Sequence, residues 1–409
     1  MTMKQVDAII CGGGMVGLPL ALALSKGGLK VAVVDALPPA ETVTPEFDGR
    51  VSALAYAAVR MFEALQVWPH LKDDAQPIRE ILVSDGAIGR TASPFSLHFD
   101  AGEVGADSLG HIAENRHIRA ALHAALAEEN NVTLIAPAAV RTLNVEGAGV
   151  TAKLSNGEEI KAALAIAADG RESESRAQMG IGVIGWSYPQ TGIVATVHHA
   201  RPHNGVAYEH FLPSGPFAIL PMTGDRSSLV WTEAKNKAPA MLALDERVFD
   251  AEVAARFGAH LGETEVVGRR WSYPLNFHLA RDYVRSRFAL AGDCAHGIHP
   301  IAGQGLNLGL KDAAALAETV LDAARLGRDI GALDVLKRYE RWRRFDSFTL
   351  AASTDALNRI FSNDIAPLRQ LRDLGLGIVD AIGPARRFFM RHAGGDIGKL
   401  PRLMKGEPA

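Results

Sequence analysis

The most chemically informative residues of this chain lie between Gly292 and Gly309, in the run GDCAHGIHPIAGQGLNLG. An acidic residue, Asp293, follows a strand-like apolar run (288–291), and a glycine-rich turn precedes a helix-like run (310–321). The N–H groups at the start of a helix are unpaired and carry partial positive charge, so they favour an anion. This layout predicts a site for a large anionic cofactor.

A second glycine-rich turn lies near the N-terminus. Gly12, Gly14 and Gly17 have the spacing GxGxxG between an apolar run (6–11) and a helix-like run (18–25). In a strand-turn-helix unit, Gly12 permits the sharp turn, Gly14 lets the backbone approach a pyrophosphate, and Gly17 lets helix and strand pack closely. Taken together, the two turns point to FAD.

The nucleotide pattern continues into a second strand. Residues 31–34 form an apolar run that ends at Asp35, 21 residues after Gly14, where a carboxylate can accept hydrogen bonds from a ribose hydroxyl. The same GxGxxG spacing recurs at 180–185, but no strand precedes it and Trp-Ser-Tyr-Pro follows where a helix should begin. We therefore expect one dinucleotide fold, so any nicotinamide nucleotide docks without a domain of its own.

Two further polar residues could complete a flavin site. Arg50 precedes a helix-like run (57–65) and could reach phosphate or flavin with its planar, permanently charged guanidinium group. It could equally be a solvated arginine at the entry of a helix. Asp169 ends a run of small residues in an Asp-Gly turn, a sequence that is also common without any function.

The C-terminal motif supplies the groups nearest to the expected flavin ring. Asp293 could bind a ribityl hydroxyl, and the N–H groups of Gly303, Gln304 and Gly305 could stabilise negative charge on the reduced ring. Pro300 would place its carbonyl group near the ring.

The bulk composition restricts the class of protein. With 409 residues, 48% of them hydrophobic and 22% charged, the chain should fold as a globular protein of two domains. A net charge of −3 argues against nucleic-acid binding. The two cysteines, Cys11 and Cys294, do not form a disulfide scaffold and favour the reducing cytoplasm. No run of 18 uninterrupted apolar residues predicts a spanning helix.

The motifs together carry a family resemblance. The strings GGGMVG, DGRVSALA, AADGRES and AGDCAHGIHPIAGQGLNLGLKDAAAL resemble the class A flavoprotein monooxygenases built like para-hydroxybenzoate hydroxylase. Within that family the chain most closely resembles the ubiquinone-biosynthesis hydroxylases, through nearly its whole length. The resemblance implies flavin contacts from Asn115 and Arg116, and from Gly292, Leu306 and Asn307 of the C-terminal motif.

The resemblance also implies a reaction. NAD(P)H binds transiently and reduces FAD, and the reduced flavin adds O₂ to form a C4a-hydroperoxide whose distal oxygen is transferred to an electron-rich phenol. The protein positions the ring and excludes water, and it needs neither a metal nor a dedicated nucleophile. The implied partners are a prenylated phenol, O₂ and other ubiquinone-biosynthesis proteins. Pro300, Gly303, Gln304 and Gly305 would surround the flavin ring, and no residue is singled out as a general base.

Other functions remain open from the sequence. They are hydroxylation of a small soluble aromatic acid, a flavin-dependent reductase or dehydrogenase that does not use O₂, and a non-catalytic flavoprotein, which the intact motifs disfavour. An acid substrate would call for a buried arginine in the middle of the chain. Arg201 and Arg226 do not lie in obviously buried runs, which favours an apolar tunnel for a prenyl tail.

Several side chains could suggest chemistry that we do not expect. His198, His199 and His203 lie close in sequence, but two adjacent residues of a strand face opposite sides, and no fourth metal ligand has suitable spacing. We predict solvated or edge positions for them, and structural roles for His296 and His299. Cys294 stands where relatives of the family carry Ala or Ser, and we expect it to be a buried small hydrophobe.

These motifs require an α/β fold with a discontinuous, Rossmann-like FAD-binding domain. The strand-rich insertions should form an antiparallel substrate domain, with strands at 192–197 and 217–221. The predicted boundaries are 1–75, 106–180 and 280–325 for the FAD-binding domain, 76–105 and 181–279 for the substrate domain, and 326–409 for a C-terminal helical region.

The C-terminal residues 337–409 differ in charge from the rest of the chain. They hold 14 Lys and Arg against 8 Asp and Glu, and the segments 368–382 and 385–392 have amphipathic helical patterns. They could simply cap the protein, or their basic face could contact anionic lipid. Contact with anionic lipid would make this a cytoplasmic protein that binds peripherally to the inner membrane face.

Overall fold

The computed structural model describes residues 4–43, 47–85, 96–299, 303–361 and 399–409. The α-helices of this part are α1 (Gly17–Lys26), α2 (Pro39–Thr42), α3 (Tyr56–Ala64), α4 (Asn115–Ala127), α5 (Glu174–Gln178), α6 (Ala238–Leu242), α7 (Glu246–Phe257), α8 (Gln304–Arg325) and α9 (Leu333–Phe361).

A six-stranded sheet forms the centre of the nucleotide-binding part. In order across the sheet, its strands are β19 (Val284–Arg285), β20 (Phe288–Leu290), β13 (Leu164–Ala167), β2 (Ala8–Cys11), β3 (Val31–Val34) and β9 (Val132–Ile135). All neighbours are parallel except β19 and β20. Four of these strands read as unbroken apolar runs because helices such as α1 and α8 cover the sheet, so both strand faces are buried.

Two smaller sheets flank this centre. One holds β1 (Lys4–Gln5), β12 (Glu159–Ala162), β11 (Gly149–Leu154) and β10 (Val140–Glu146), in that order. The other holds β4 (Val51–Ala55), β8 (Gly110–Glu114) and β5 (Ala75–Ile78), all antiparallel. Strand β4 follows Arg50, and α4 begins at Asn115, so this three-stranded sheet carries several of the predicted site residues.

The largest sheet has eight strands. In order they are β21 (His296–Gly297), β18 (Thr264–Ala280), β14 (Val183–His199), β17 (Arg226–Ala234), β16 (Gly215–Met222), β15 (Val206–Leu212), β6 (Glu80–Asp85) and β7 (Ser96–Asp100). We predicted an antiparallel sheet, but β15 and β6 pair in parallel. The two strands come from insertions far apart in the chain, so no short turn forces them to be antiparallel.

The eight-stranded sheet has two differently packed faces. Its outer face packs on α7, and Phe217 and Trp231 of the sheet bury against Phe249 and Phe257 of the helix. Its inner face packs on the three-stranded sheet through the cluster Ile78, Ile112, Ala207 and Met222, with Val51, Ala53 and Leu220 at its edge. Burying a large apolar side chain contributes about 1.5–3 kcal/mol, so each face anchors the sheet independently.

The end of the chain returns to the nucleotide-binding part. Leu403 and Met404 are buried in its core, and the Arg402 N–H donates to Glu318 of α8 at 2.8 Å. This contact was not predicted from the sequence. The predicted amphipathic segments 368–382 and 385–392 lie outside the described residues. The described helices include none that is both long and apolar enough to cross a bilayer. The domain boundaries themselves stay a prediction.

Candidate cofactor site

The predicted cofactor residues meet at one edge of the six-stranded sheet. Gly12 directly follows β2, Asp35 follows β3, Asp169 comes two residues after β13, and Asp293 comes three residues after β20. These four strands are neighbours and run in parallel, so their carboxyl ends share an edge. Ligands of open α/β sheets bind at that edge, in the crevice outside the strand ends.

The N-terminal glycines have the geometry that a phosphate-binding turn requires. Gly12 has φ +108°, and a Cβ atom there would lie 2.3 Å from the Ala168 carbonyl oxygen. A Cβ atom on Gly17 would lie 2.0 Å from the Gly12 oxygen, so both positions exclude any side chain. A Cβ atom on Gly14 would meet nothing within 4 Å. Gly14 therefore borders free space in front of the start of α1.

Asp35 is held rigidly beside this turn. Its Oδ2 accepts a hydrogen bond from the Gly13 N–H at 2.6 Å, and its Oδ1 accepts one from the Leu37 N–H at 2.8 Å. Each carboxylate oxygen can accept a second hydrogen bond. The carboxylate is thus oriented by the backbone and retains the capacity for a ribose hydroxyl that the sequence predicted.

Asp169 and Asp293 supply two carboxylates on adjacent strands. Asp169 Oδ2 accepts from the Ser175 N–H at 3.1 Å, whereas its Oδ1 is buried and finds no partner within the described part of the chain. A buried acceptor without a partner costs about 1–3 kcal/mol. Asp293 is exposed between two buried neighbours, Gly292 and Cys294. Both carboxylates fit the hydroxyl donors of FAD rather than its phosphates.

The C-terminal motif packs tightly against the N-terminal one. Gly292 has φ +75°, and a Cβ atom on Gly309 would lie 2.7 Å from Val16 Cγ2 and 3.3 Å from the Gly292 Cα. At the start of α8, Gly303 has φ +61° and a Cβ atom on Gly305 would meet nothing within 4 Å. The backbone at Gly305 is therefore open to a ligand.

The other predicted residues of this motif differ in role. Gln304 and Leu306 are partly exposed at the first turn of α8. Asn307 is buried, and its side chain accepts from the Ala55 N–H and donates to the Ala53 oxygen, both at 2.9 Å. These two hydrogen bonds connect α8 to β4. The predicted contact between Asn307 and the cofactor stays a prediction. Pro300 lies outside the described residues.

Arg50 and Asn115 lie beside each other. The Asn115 N–H donates to the Arg50 oxygen at 2.9 Å, and Asn115 Oδ1 accepts from the Ser52 hydroxyl at 2.7 Å. The Arg50 side chain is 49% exposed and pairs with Asp48 at 2.6 Å. Its guanidinium also lies 5.6 Å from the ring centre of Trp271. Arg50 thus lies near the crevice, but the carboxylate of Asp48 neutralises its charge.

Arg116 shares a buried carboxylate with an arginine of the large sheet. Glu114 accepts from Arg116 Nε at 2.7 Å and from Arg226 Nη2 at 3.2 Å. The guanidinium groups of both arginines lie within 6 Å of the Phe47 ring centre. Arg226 is therefore a connector between the two parts of the protein. Arg201, the other arginine considered for a substrate acid, is exposed.

Arg119, one helical turn after Asn115 on α4, was not predicted from the sequence. Its Nε is buried without a partner in the described part of the chain. Burial, and then the nearby positive charge of Arg50, lower its pKa, while Asp48 and Asp35 raise it. A cation beside Asp35 with an unused donor fits an anionic ligand. The spacing of four residues from Asn115 was the available signal, because such residues share a helix face.

The histidine cluster is structural, but not in the way that we predicted. His199 and His203 are 1% and 7% exposed rather than solvated, and they hydrogen-bond the Arg201 and Met222 oxygens at 2.7 and 2.8 Å. His198 is exposed. A search of the described residues finds no cluster of His, Cys, Asp and Glu that could hold a metal ion.

Cys294 and His296 of the motif lie as expected, whereas the buried His299 has no hydrogen-bond partner for either ring nitrogen within the described residues. Cys294 is fully buried, its thiol donates to the Ala167 oxygen at 2.9 Å, and burial raises its pKa well above the ordinary value. His296 donates to Asp312 at 2.5 Å inside the core. Glycine pattern 180–185 runs into strand β14, which begins at Val183, so it does not open a helix.

The chain matches known proteins over nearly its whole length. The family model described as FAD binding domain matches residues 5–345. Ubiquinone hydroxylase UbiL of Rhodospirillum rubrum is 48% identical over 409 residues, covering 99% of this chain and 94% of the relative. The 3-demethoxyubiquinol 3-hydroxylase of Escherichia coli is 34% identical over 395 residues, covering 96% and 99%. The crystal structure of p-nitrophenol 4-monooxygenase PnpA from Pseudomonas putida shares the fold, with TM-score 0.79, 19% identity and coverage of 97% and 100%.

Proposed function

We propose, on the premise that this chain belongs to the FAD binding domain family and to its ubiquinone-hydroxylase relatives, that it hydroxylates the aromatic ring of a prenylated phenol in ubiquinone biosynthesis. The protein is an FAD-dependent monooxygenase. NAD(P)H is the electron donor of this class, and O₂ supplies the oxygen atom.

The observation that carries the proposal is a group of partly exposed apolar residues where the inner face of the large sheet meets the three-stranded sheet. We call the space that they line the inner chamber and define it by Val51, Ala53, Leu220 and Val230. Leu220 and Val230 lie in the interior strands β16 and β17 of the large sheet, and Val51 and Ala53 lie in β4, the edge strand of the three-stranded sheet. All four are partly exposed, and we infer that they border an opening. An apolar wall suits a ring with a prenyl tail.

Bound FAD supplies the redox chemistry, taking electrons from NAD(P)H and activating O₂ for transfer to the ring. The residues of the chain bind and orient. Asp169 and Asp293 would accept hydrogen bonds from the ribityl hydroxyls, and the open backbone at Gly305 would stabilise negative charge on the ring. The walls of the inner chamber would exclude water from the reacting atoms.

A small aromatic acid is a weaker substrate candidate. Its carboxylate would need an arginine with free charge on the inner face of the large sheet. Arg226, on β17, is already paired with the buried carboxylate of Glu114. Charge pairing of this kind argues for an uncharged substrate at that end of the sheet.

The test is a coupled assay on the purified yellow protein. NAD(P)H oxidation, O₂ uptake and product are followed with and without a short-chain prenylphenol in detergent micelles, using ¹⁸O₂. We expect the phenol to stimulate both consumption rates and ¹⁸O to appear in the product. NAD(P)H consumption without O₂ uptake would show a reductase instead, and a product without ¹⁸O would exclude monooxygenation.

A further inference from the structure

Glu209 is an acidic residue in the middle of a sheet strand. Along β15, alternate residues face opposite sides. Tyr208 and Leu212 pack with the cluster on the outer face, whereas Ala207 and Phe211 belong to clusters on the inner side. Because side chains alternate along a strand, Glu209 faces inward with Ala207 and Phe211.

The surroundings of Glu209 are apolar. Its cross-strand neighbours are Ala218 on β16 and Val83 on β6. Within the described part of the chain, its carboxyl group makes no hydrogen bond and no ion pair, although it is only partly exposed. A carboxyl group left unpaired in an apolar sheet loses solvation without compensation, so a functional reason is needed for it.

The position of Glu209 borders the inner chamber. The next inward-facing residue of β16 after Ala218 is Leu220, which packs in one cluster with Ala53 of β4. A Cβ atom on Gly303 would lie 3.1 Å from the Ala53 Cβ. Neighbouring residues thus lead from Glu209 through Ala218, Leu220 and Ala53 to the turn that opens α8, so Glu209 lies on the sheet face that is turned toward this end of the cofactor edge.

Electrostatics distinguish Glu209 from other acids. Burial raises its pKa to about 7, and no charged neighbour contributes to the shift. Glu265 and Arg269, both exposed, face the same side of the sheet from β18, which three strands separate from β15. Nearer to Glu209, two charged residues of the described part face this side, and both have partners. Asp85 on β6 is buried and interacts with a partner other than Glu209, and Arg226 on β17 forms an ion pair with Glu114. A carboxyl group that titrates near neutral pH is suited to acid-base work.

We propose that Glu209 is the general base that accepts the proton of the phenol hydroxyl during ring hydroxylation. This inference rests on the proposed function. The phenol O–H bond breaks, its proton moves to a Glu209 carboxylate oxygen, and its electron pair stays on the phenol oxygen. That pair raises the electron density of the ring carbon that receives oxygen from O₂. Glu209 then returns its proton to the former phenol oxygen, and the proton that the hydroxylated ring carbon loses passes to the freed Glu209 carboxylate, which restores the aromatic ring.

The kinetic test compares Glu209→Gln with the matched control Glu265→Gln, an exposed acid on β18 of the same sheet. We expect E209Q to bind FAD and to be reduced by NAD(P)H as wild type is. Product formation should fall about 100-fold or more, with O₂ uptake uncoupled from product, as for loss of a general base. Glu209→Asp should restore part of the rate, and E265Q should match wild type.

The pH profile gives the second measurement. In the wild type, product formation should rise with pH through about 7, because only the carboxylate can accept the proton. E209Q should lack this rise. A variant E209Q that forms product at the wild-type rate with the wild-type pH profile would overturn the inference, even if the proposed function holds.

Infrared difference spectroscopy on ¹³C-glutamate-labelled holoenzyme tests the same group without turnover. A protonated carboxyl band should titrate near pH 7 in the wild type and be missing in E209Q. Binding of the prenylphenol should shift the Glu209 carboxylate bands, because the phenol O–H donates to them. Bands that do not respond to the phenol would refute the role of Glu209. Failure of the wild type to form any product, with the bands responding, would instead refute the proposed function.

Discussion

Arg343 of α9 donates from Nε to Oδ1 of Asp312 in α8 at 2.8 Å, and both side chains are completely buried. The other oxygen of Asp312 accepts from the Gly292 N–H at 3.0 Å and from His296 at 2.5 Å. One carboxylate thus joins the helix α9 to the turn that presents Asp293 to the cofactor edge.

Replacing Asp312 should be costly. Asp312→Asn removes the buried charge that pairs with Arg343 and leaves Arg343 only Asp346, whose Oδ2 accepts from Nη1 at 2.7 Å. Breaking a buried pair costs up to about 3–5 kcal/mol. We expect the free energy of unfolding, measured in denaturant, to fall by that amount, with weaker FAD binding. The control is Asp334→Asn in the exposed pair with Arg328, where about 0.5 kcal/mol or less is expected. Equal effects of the two variants would contradict the role assigned to Asp312.

The same carboxylate predicts a pH dependence of stability. Its positive neighbours outweigh burial and lower the pKa of Asp312 below its ordinary 3.8. A group with a lowered pKa in the folded state stabilises the protein above the unfolded value, and this contribution is lost as pH falls. The difference in unfolding free energy between wild type and D312N should therefore shrink as pH drops below about 4. A difference independent of pH in that range would show that the Asp312 charge is not involved.

Two glycines of the N-terminal turn should separate folding from cofactor binding. Gly14→Ala has room for its methyl group, so the apoprotein should fold with an unchanged melting temperature and lose FAD affinity at least tenfold. Gly17→Ala would place its methyl group against the Gly12 oxygen, so the fold itself should be destabilised. Melting curves and FAD fluorescence titrations measure both effects. Tight FAD binding by G14A would exclude close approach of the cofactor there.

Arg119 should bind the cofactor. Arg119→Met keeps the apolar stem and removes the guanidinium, and a charge-assisted hydrogen bond is worth about 1.5–3 kcal/mol. FAD affinity should therefore fall about 10-fold to 100-fold, and the salt dependence of binding should weaken. Arg141→Gln, an exposed arginine of β10, is the control and should leave both unchanged. If the R119M protein bound FAD with wild-type affinity, Arg119 would have no role in cofactor binding.

The basic C-terminal residues predict contact with anionic membranes. The protein should float with liposomes that contain anionic lipid and not with neutral ones, since each basic residue near such a surface contributes about 1 kcal/mol. The triple variant Arg386→Gln, Arg387→Gln and Arg391→Gln should lose this binding, and high salt should weaken it. Flotation that is equal with both lipid types would leave 337–409 without a membrane role.

The sequence by itself determined the local elements and the motifs that join them. Strand β3 spans Val31–Val34 as predicted, and α3 and β16 begin and end within two residues of the predicted 57–65 and 217–221. The strand predicted at 192–197 exists, but β14 begins nine residues earlier, at Val183. These elements follow from apolar runs and turn glycines, which act between residues close in the chain. The second glycine pattern could also be dismissed locally, because its flanks lacked a strand and a helix.

Only the tertiary structure decided which distant residues meet. The pairing of Arg343 with Asp312, the nearness of Arg119 to Asp35, and the inward face of Glu209 all depend on sheet order and register. A register shift of one residue in β15 would place the Glu209 side chain on the opposite face of the sheet. The residues next to Glu209 in the chain do not determine which of the two faces it takes. Likewise, the sequence did not show that the side chain of Asn307 hydrogen-bonds the backbone at the end of β4. Long-range packing therefore decides which polar groups of a motif hold the fold and which remain available to a ligand.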